Sequence, residues 1–305
     1  MLTVSINGGR VRGRTEILPG RTAVFGPSGA GKTSWFRILA GLDRPDSAEM
    51  TFCGVSWGKG SSLWPPYARP IAYVPQRPSL LPHRTVAEQI EWIAAGHADD
   101  WRAWIERLEL TDLWHRFPHQ LSGGEQQRAA LLRALAADPR ILLLDEALSQ
   151  LDRWRRQRIF EALMTDWPSE RWLMFSTHNW EEVERHAQLV LYIEDGQFGA
   201  VQPIRQAVPP TLTLARLSGF LGTARLPQGT LLVHPRCLKP GRHPGGQVIP
   251  GRLGQDMLTP WVARYRFEGP DGMWEWIGDG QPVVDPTAIT LMPPWIKVPW
   301  EGEPS

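Results

Sequence analysis

Residues 26 to 33 read Gly26-Pro27-Ser28-Gly29-Ala30-Gly31-Lys32-Thr33. The stretch fits G-x-x-x-x-G-K-[ST], the pattern of a phosphate-binding loop. Before it, Thr22 to Phe25 is a short apolar run suited to a buried strand. After it, Thr33 to Leu39 places Trp35, Phe36, Ile38 and Leu39 at the spacings of a buried helix. Glycines let the backbone curl with its N–H groups inward, where side chains would block a phosphate. The helix start adds unpaired N–H donors and the positive end of the dipole. Lys32 is placed to reach the β- and γ-phosphates, and the Thr33 hydroxyl to take a position on Mg²⁺. A glycine-rich turn before an ordinary helix is the competing reading. Lys32 argues against it: lysine supplies only four of the 33 basic residues, yet it stands where a compact ammonium is wanted.

The chain has 305 residues, enough for one large domain or two. A formal charge of +1 gives no reason to expect nucleic acid as a partner. No apolar run approaches the ~18 residues of a membrane span. The first ten residues lack the basic and apolar regions of a signal peptide. Cys53 and Cys237 fit no metal spacing and read as reduced thiols.

Working outward, Leu2 to Ile6 alternates and reads as an edge strand. Residues 7 to 20 read as turns around one further short strand, and 41 to 68 as turns around a strand at Met50–Cys53. Pro70 to Pro75 is a short apolar strand with Gln76 just beyond it. A helical insertion spans about 77–135 and includes Leu121-Ser122-Gly123-Gly124-Glu125-Gln126-Gln127-Arg128. Ile141 to Leu144 is a buried strand ending in Asp145-Glu146, and Trp172 to Ser176 another, ending in Thr177-His178. Helices are expected at 153–166 and 181–187, and a strand at 189–193. Strands alternating with helices imply a parallel sheet covered on both faces. Beyond Gly199 the pattern changes to short strand-like runs between Gly/Pro turns, including Leu231–Val233, Val262–Phe267, Trp274–Ile277, Val283-Val284 and Ala288–Leu291. That texture reads as a small β-barrel. The expected domains are 1–205 and 206–305, the second being linker plus barrel.

Gln76, Asp145, Glu146 and His178 all fall at C-terminal ends of expected strands, the ligand-binding edge of an open α/β sheet. An aspartate there can hold Mg²⁺, a glutamate can polarise a water, and a histidine can bond a γ-phosphate. That is the set phosphoryl transfer to water requires. Each residue alone reads as a solvated strand end or a structural hydrogen-bonder; their order after a phosphate loop favours the site.

With these residues the chain closely resembles the ATP-binding subunits of ABC transporters, without a gap from residue 1 to about 200. Leu121 to Arg128 is similar to the family's signature sequence, Ile141 to Glu146 to its Walker B strand, Gln76 to its Q-loop, Ser149-Gln150-Leu151-Asp152 to its D-loop and His178 to its switch histidine. The resemblance implies an α/β P-loop NTPase (ABC ATPase) fold with a helical insertion, followed by an OB/TOBE-like barrel. It implies an ATPase using ATP and Mg²⁺, with Glu146, His178 and Gln76 catalytic and Thr33, Gln76 and Asp145 at the metal. Nucleotide is held by Gly26 to Thr33 and, from a second copy in a head-to-tail dimer, by Ser122, Gly123 and Gly124. Transmembrane permease subunits and, indirectly, a solute-binding protein are the implied partners, at the cytoplasmic face of the inner membrane. Ala147, Gln150 and Asn179 replace the proline, alanine and aspartate usual in the family. Residues 1 to 24 hold no aromatic side chain, so the usual adenine-stacking ring is missing and ATP-over-GTP selectivity stays open.

Within the family the compact N-terminus and Phe25 to Ser34 are most similar to molybdate importer ATPases. Molybdate or a related oxyanion is therefore the expected cargo; iron, sulfate or a polyamine are the alternatives. His234-Pro235-Arg236-Cys237-Leu238 stands where related accessory domains have an R-P-E-like turn. Gly245-Gly246-Gln247-Val248 stands in place of a Ser-Ala-Arg-Asn-like stretch, which argues against oxyanion sensing by this domain. A soluble ABC ATPase acting on nucleic acid is a distant alternative, since the chain lacks a strongly basic composition.

Overall fold

The computed structural model describes residues 1–60, 62–95, 99–204 and 207, and further on only the strands given below. It divides into two compact units, Met1–Ile204 and Arg205–Ser305.

In the first unit β1 (Leu2–Asn7), β2 (Arg12–Ile17) and β3 (Gly20–Phe25) precede α1 (Lys32–Leu39). Then come β4 (Ser47–Phe52), β5 (Val55–Gly60), β6 (Ser62–Leu63) and β7 (Ile71–Val74). The inserted region contains α2 (Val86–Ala94) and α3 (Ala103–Arg107) and leads into α4 (Gly123–Ala136). β8 (Ile141–Asp145), α5 (Arg153–Asp166), β9 (Trp172–Thr177), α6 (Trp180–His186) and β10 (Leu189–Glu194) follow, with β11 (Gln197–Phe198) and β12 (Gln202–Pro203) last.

The twelve strands form one mixed sheet, ordered β6-β5-β4-β1-β2-β11-β10-β3-β9-β8-β7, with β12 also on β10. The run β10-β3-β9-β8-β7 is parallel. Two adjacent strands of it, β8 and β9, are buried at every position, which is why they read as unbroken apolar runs. In the other arm β2, β1, β4, β5 and β6 pair antiparallel, β11 joins β2 in parallel, and β1 buries Leu2, Val4 and Ile6 in alternation.

The structure corrects three sequence expectations. β1 is no edge strand: it pairs with β2 on one side and β4 on the other. Residues 41 to 68, read as turns around one strand, form a β4–β5 hairpin extended by β6, and this covers the free edge of β1. The sheet is also only partly parallel. Both arms deliver apolar side chains to one core around α1, whose Trp35 and Phe36 are fully buried among Val4, Met50, Phe52, Leu143 and Met174.

The C-terminal end of α1 is closed by a buried guanidinium. Arg69, 6% exposed, donates from Nη1 to the carbonyls of Ile38 (2.9 Å) and Leu39 (2.6 Å) and from Nε and Nη2 to Trp64 O. A cation at this end opposes the helix dipole and satisfies carbonyls that lack an intrahelical partner.

In the second unit the described residues form three antiparallel three-stranded sheets. They join Gly222–Leu226, Gly229–Val233 and Ile296–Lys297; Leu238–Pro240, Ala288–Leu291 and Gln247–Pro250; and Arg252–Thr259, Val262–Gly269 and Gly272–Asp279. The expected strand at Val283-Val284, the His234 to Cys237 turn and Gly245-Gly246 lie outside the described residues. Among the described residues no helix is long and apolar enough to cross a membrane.

Arg69→Met would remove the donors to Leu39 O and Trp64 O beneath the phosphate-loop helix, while Ile38 O keeps the Gly41 N–H. The expected cost is about 3 kcal/mol of stability, read as a lower urea midpoint by circular dichroism. An unchanged midpoint would show that other groups hold that helix end.

Candidate functional site

The loop between β3 and α1 is shaped by close approaches. A Cβ on Gly26 would stand 2.0 Å from Ile193 O, and Gly31 has φ 106° with Val11 Cγ1 only 2.8 Å from its Cβ position. Neither place accepts a side chain. Gly31 is the N-cap of α1 and supplies no side-chain cap, and the first turn holds no acidic residue. The α1 N-terminus thus keeps its donors for a ligand, and a phosphate fits that cradle. Lys32 is 5% exposed; its Nζ donates to the carbonyls of Gly26 and Pro27, both at 2.9 Å. Burial pulls its pKa below the ordinary lysine value, against the opposing pull of Glu146 and Asp145.

Glu146 is the centre of the cluster. Its Oε1 lies 3.9 Å from Lys32 Nζ and 3.7 Å from His178 Nδ1, and its Oε2 accepts from Gln76 Nε2 at 3.1 Å. The residue has φ 46°, a left-handed backbone that a glutamate adopts only at a cost. Its N–H donates to Ser176 Oγ (2.9 Å), and the same hydroxyl donates to Asp145 Oδ1 (2.8 Å). Asp145 is 1% exposed and also accepts from the Tyr73 hydroxyl at 3.0 Å. Burial, then the Asp145 carboxylate, push the Tyr73 pKa up, so it stays a donor. Asp145, Gln76 and Thr33 offer hard oxygen donors, the ligand type that suits Mg²⁺.

The signature segment is built separately. Ser122 caps α4 in a reciprocal box: Glu125 N donates to Ser122 Oγ, while Ser122 N and Oγ donate to Glu125 Oε2 at 2.7 and 2.9 Å. The bonds from Ser122, backbone first, pull the Glu125 pKa below the usual carboxylate value. The Ser122 hydroxyl, which the resemblance assigns to a second copy's nucleotide, is bonded here to the Glu125 carboxylate. Fully buried Gln127 joins this helix to two loops, donating to Gln76 O and accepting from Gln150 N, both at 3.2 Å.

The geometry has counterparts among known proteins. Residues 17–149 match the family model described as ABC transporter. The molybdenum import ATP-binding protein ModC of Rhodobacter capsulatus is 36% identical over 262 residues, covering 82% of this chain and 69% of that protein. The chain belongs to the ABC transporter family. ModC of Methylococcus capsulatus is 38% identical, over 66% of this chain and 56% of that protein. The Fe(3+) ions import ATP-binding protein FbpC of Serratia marcescens is 38% identical, over 68% and 64%. The chain spans little more than half the length of several such relatives. A dimeric ATP-binding cassette solved in a post-hydrolysis state with ADP and Pi shares the fold, with TM-score 0.57 and 24% identity over 67% of this chain and 99% of that one.

Of the site residues read from the sequence, the structure brings Lys32, Gln76, Glu146 and His178 into contact around one carboxylate. Ser122, Gly123 and Gly124 stand at the start of α4, and no bond recorded among the described residues links them to Lys32. No motif assigns a role to Tyr73, Ser176 or Gln127. The signal was there for two of them: a hydroxyl inside an otherwise apolar buried strand requires a partner.

A triphosphate reaching Lys32 would favour its charged form, so binding should take up a proton in alkaline solution. Calorimetry of MgATP binding in buffers of different ionisation enthalpy reads this uptake. It should grow from neutral to alkaline pH and be absent in Lys32→Arg; no uptake in the parent at any pH contradicts the phosphate contact.

Proposed function

We infer that the chain is the ATP-hydrolysing subunit of an ABC importer. The observation that carries this is the meeting of Lys32, Gln76 and His178 on Glu146, beyond the ends of parallel strands and beside the phosphate cradle. ATP takes its place along residues 26–33, where Lys32 exchanges loop carbonyls for phosphate oxygens. Thr33, Gln76 and Asp145 would hold Mg²⁺, which would supply positive charge to offset that of the phosphates. Glu146 orients and polarises the attacking water, and His178 bonds the γ-phosphate as negative charge develops. Asp145 and Glu146 keep their places through the Ser176 hydroxyl they share.

Two copies act head to tail under twofold symmetry, each lending Ser122, Gly123 and Gly124 to the other's nucleotide. Closure on ATP and opening after hydrolysis drive permease subunits through the region of α2 and α3, at the cytoplasmic face of the inner membrane. Residues 1–205 form the ATPase domain. The C-terminal strands form a small OB/TOBE-like barrel.

Molybdate or a related oxyanion is the cargo this reading favours, supported by the likeness to molybdenum import proteins across most of the chain. The comparable identity to an iron importer subunit favours Fe³⁺ as the second reading.

Glu146→Gln keeps the shape and removes the charge. It should bind ATP within about threefold of the parent while hydrolysis falls at least ~100-fold. An ATP-dependent dimer should then persist on gel filtration. Unchanged phosphate release removes Glu146 from the proposed role. With permease and binding protein reconstituted, molybdate should stimulate turnover; stimulation by iron instead shifts the cargo to the second reading.

A further inference from the structure

One polar network links the loop after Glu146 to the turn that carries His178. Arg156, in the second turn of α5, spreads its guanidinium over three carbonyls of that loop. Nε donates to Leu148 O at 3.0 Å, and Nη2 to Ser149 O at 3.0 Å and Leu151 O at 3.3 Å. Nη1 donates to Glu182 Oε1 at 3.1 Å. The other Glu182 oxygen accepts from Thr177 Oγ1 at 2.7 Å, and that hydroxyl accepts from Asn179 N at 3.0 Å. Thr177 and Asn179 are the two chain neighbours of His178. Arg156, Glu182, Glu146 and His178 line one cleft of about 110 Å³.

The residue types suit such a strut. A guanidinium presents several donors in a fixed plane, so one side chain can hold three carbonyls and a carboxylate at once. The side chains are 31% and 19% exposed, so solvent screens the pair only in part. His178 itself is 61% exposed and has only Glu146 nearby among its recorded partners, so its place depends on the turn beneath it.

We propose that Arg156 and Glu182 are positioning residues that fix the His178 turn to the 148–151 loop, so that movement of this loop moves the imidazole. This rests on the reading above, in which His178 meets the γ-phosphate and a second copy docks at Ser122 to Gly124; the 148–151 loop borders that segment, with Gln150 Oε1 2.4 Å from where a Cβ on Gly123 would stand. Contact with the partner then sets whether His178 stands where hydrolysis needs it. Among the described residues neither side chain bonds to Lys32 or the phosphate cradle, so nucleotide affinity is separable from turnover.

The test uses the full chain with Arg156→Lys, Glu182→Ala and their double variant. Lysine keeps the charge but cannot span the four acceptors. Each single variant should lose about tenfold in kcat with KM for ATP within twofold, and the double should be no worse than the weaker single. Glu182→Gln keeps an acceptor for Arg156, while its amide N–H can only donate to Thr177 Oγ1 in a reversed second bond; it should lose less than Glu182→Ala and stay within about threefold of the parent. Rates are counted per bound nucleotide, so a partly unfolded variant does not mimic the effect. In nucleotide-free, ¹³C-histidine-labelled protein, the His178 signal, assigned with His178→Ala, should shift in both single variants. An unmoved signal in both, or unchanged kcat in both, overturns the proposal. The signal needs no turnover. A parent chain that binds but does not hydrolyse ATP overturns the ATPase reading, while the shift still judges the strut.

Discussion

The ammonium of Lys32 is almost wholly buried, and the site is arranged around keeping it so. A buried cation must find acceptors or lose its proton. Here the acceptors are two loop carbonyls, with the Glu146 carboxylate at the limit of ion-pair range. The carbonyls are in reach because Gly26 and Gly31 let the loop press against Ile193 and Val11. The carboxylate is in reach because Glu146 takes a left-handed backbone, anchored through its own N–H to Ser176. Three strands, β3, β8 and β9, therefore have to end side by side for one charge to be satisfied.

That constraint explains how much the sequence disclosed. The glycine spacing, the Asp145-Glu146 pair and His178 were readable because each stands where an apolar run stops. The parallel strands were readable because burial on both faces leaves unbroken apolar stretches. The antiparallel arm was harder. β5 has a mixed burial pattern, with Trp57 inward and Val55 and Ser56 exposed, so its composition resembles a turn-rich loop. Without it, β1 could only be read as an edge. Pairing partners come from long-range register, which no local pattern encodes.

The residues that the sequence did not single out share a property. Arg69, Gln127 and Arg156 all bond to backbone groups, the first two to groups 31 and 51 residues away and the third to carbonyls within eight residues. A backbone acceptor carries no residue identity, so such contacts leave no paired signature to find. Arginine predominates in this role because its planar head can hold several carbonyls at once. The bias toward arginine that made Lys32 conspicuous is thus also the source of the braces around it.

The cap on α4 has a thermodynamic meaning of its own. Ser122 already commits its hydroxyl and amide to the Glu125 carboxylate. A phosphate arriving there from a neighbouring copy would trade one anion for another, and the driving force of that trade is the residue left between two opposing quantities of similar size. A latch of this kind would be shallow by construction, and a shallow latch would release when a single phosphate is lost.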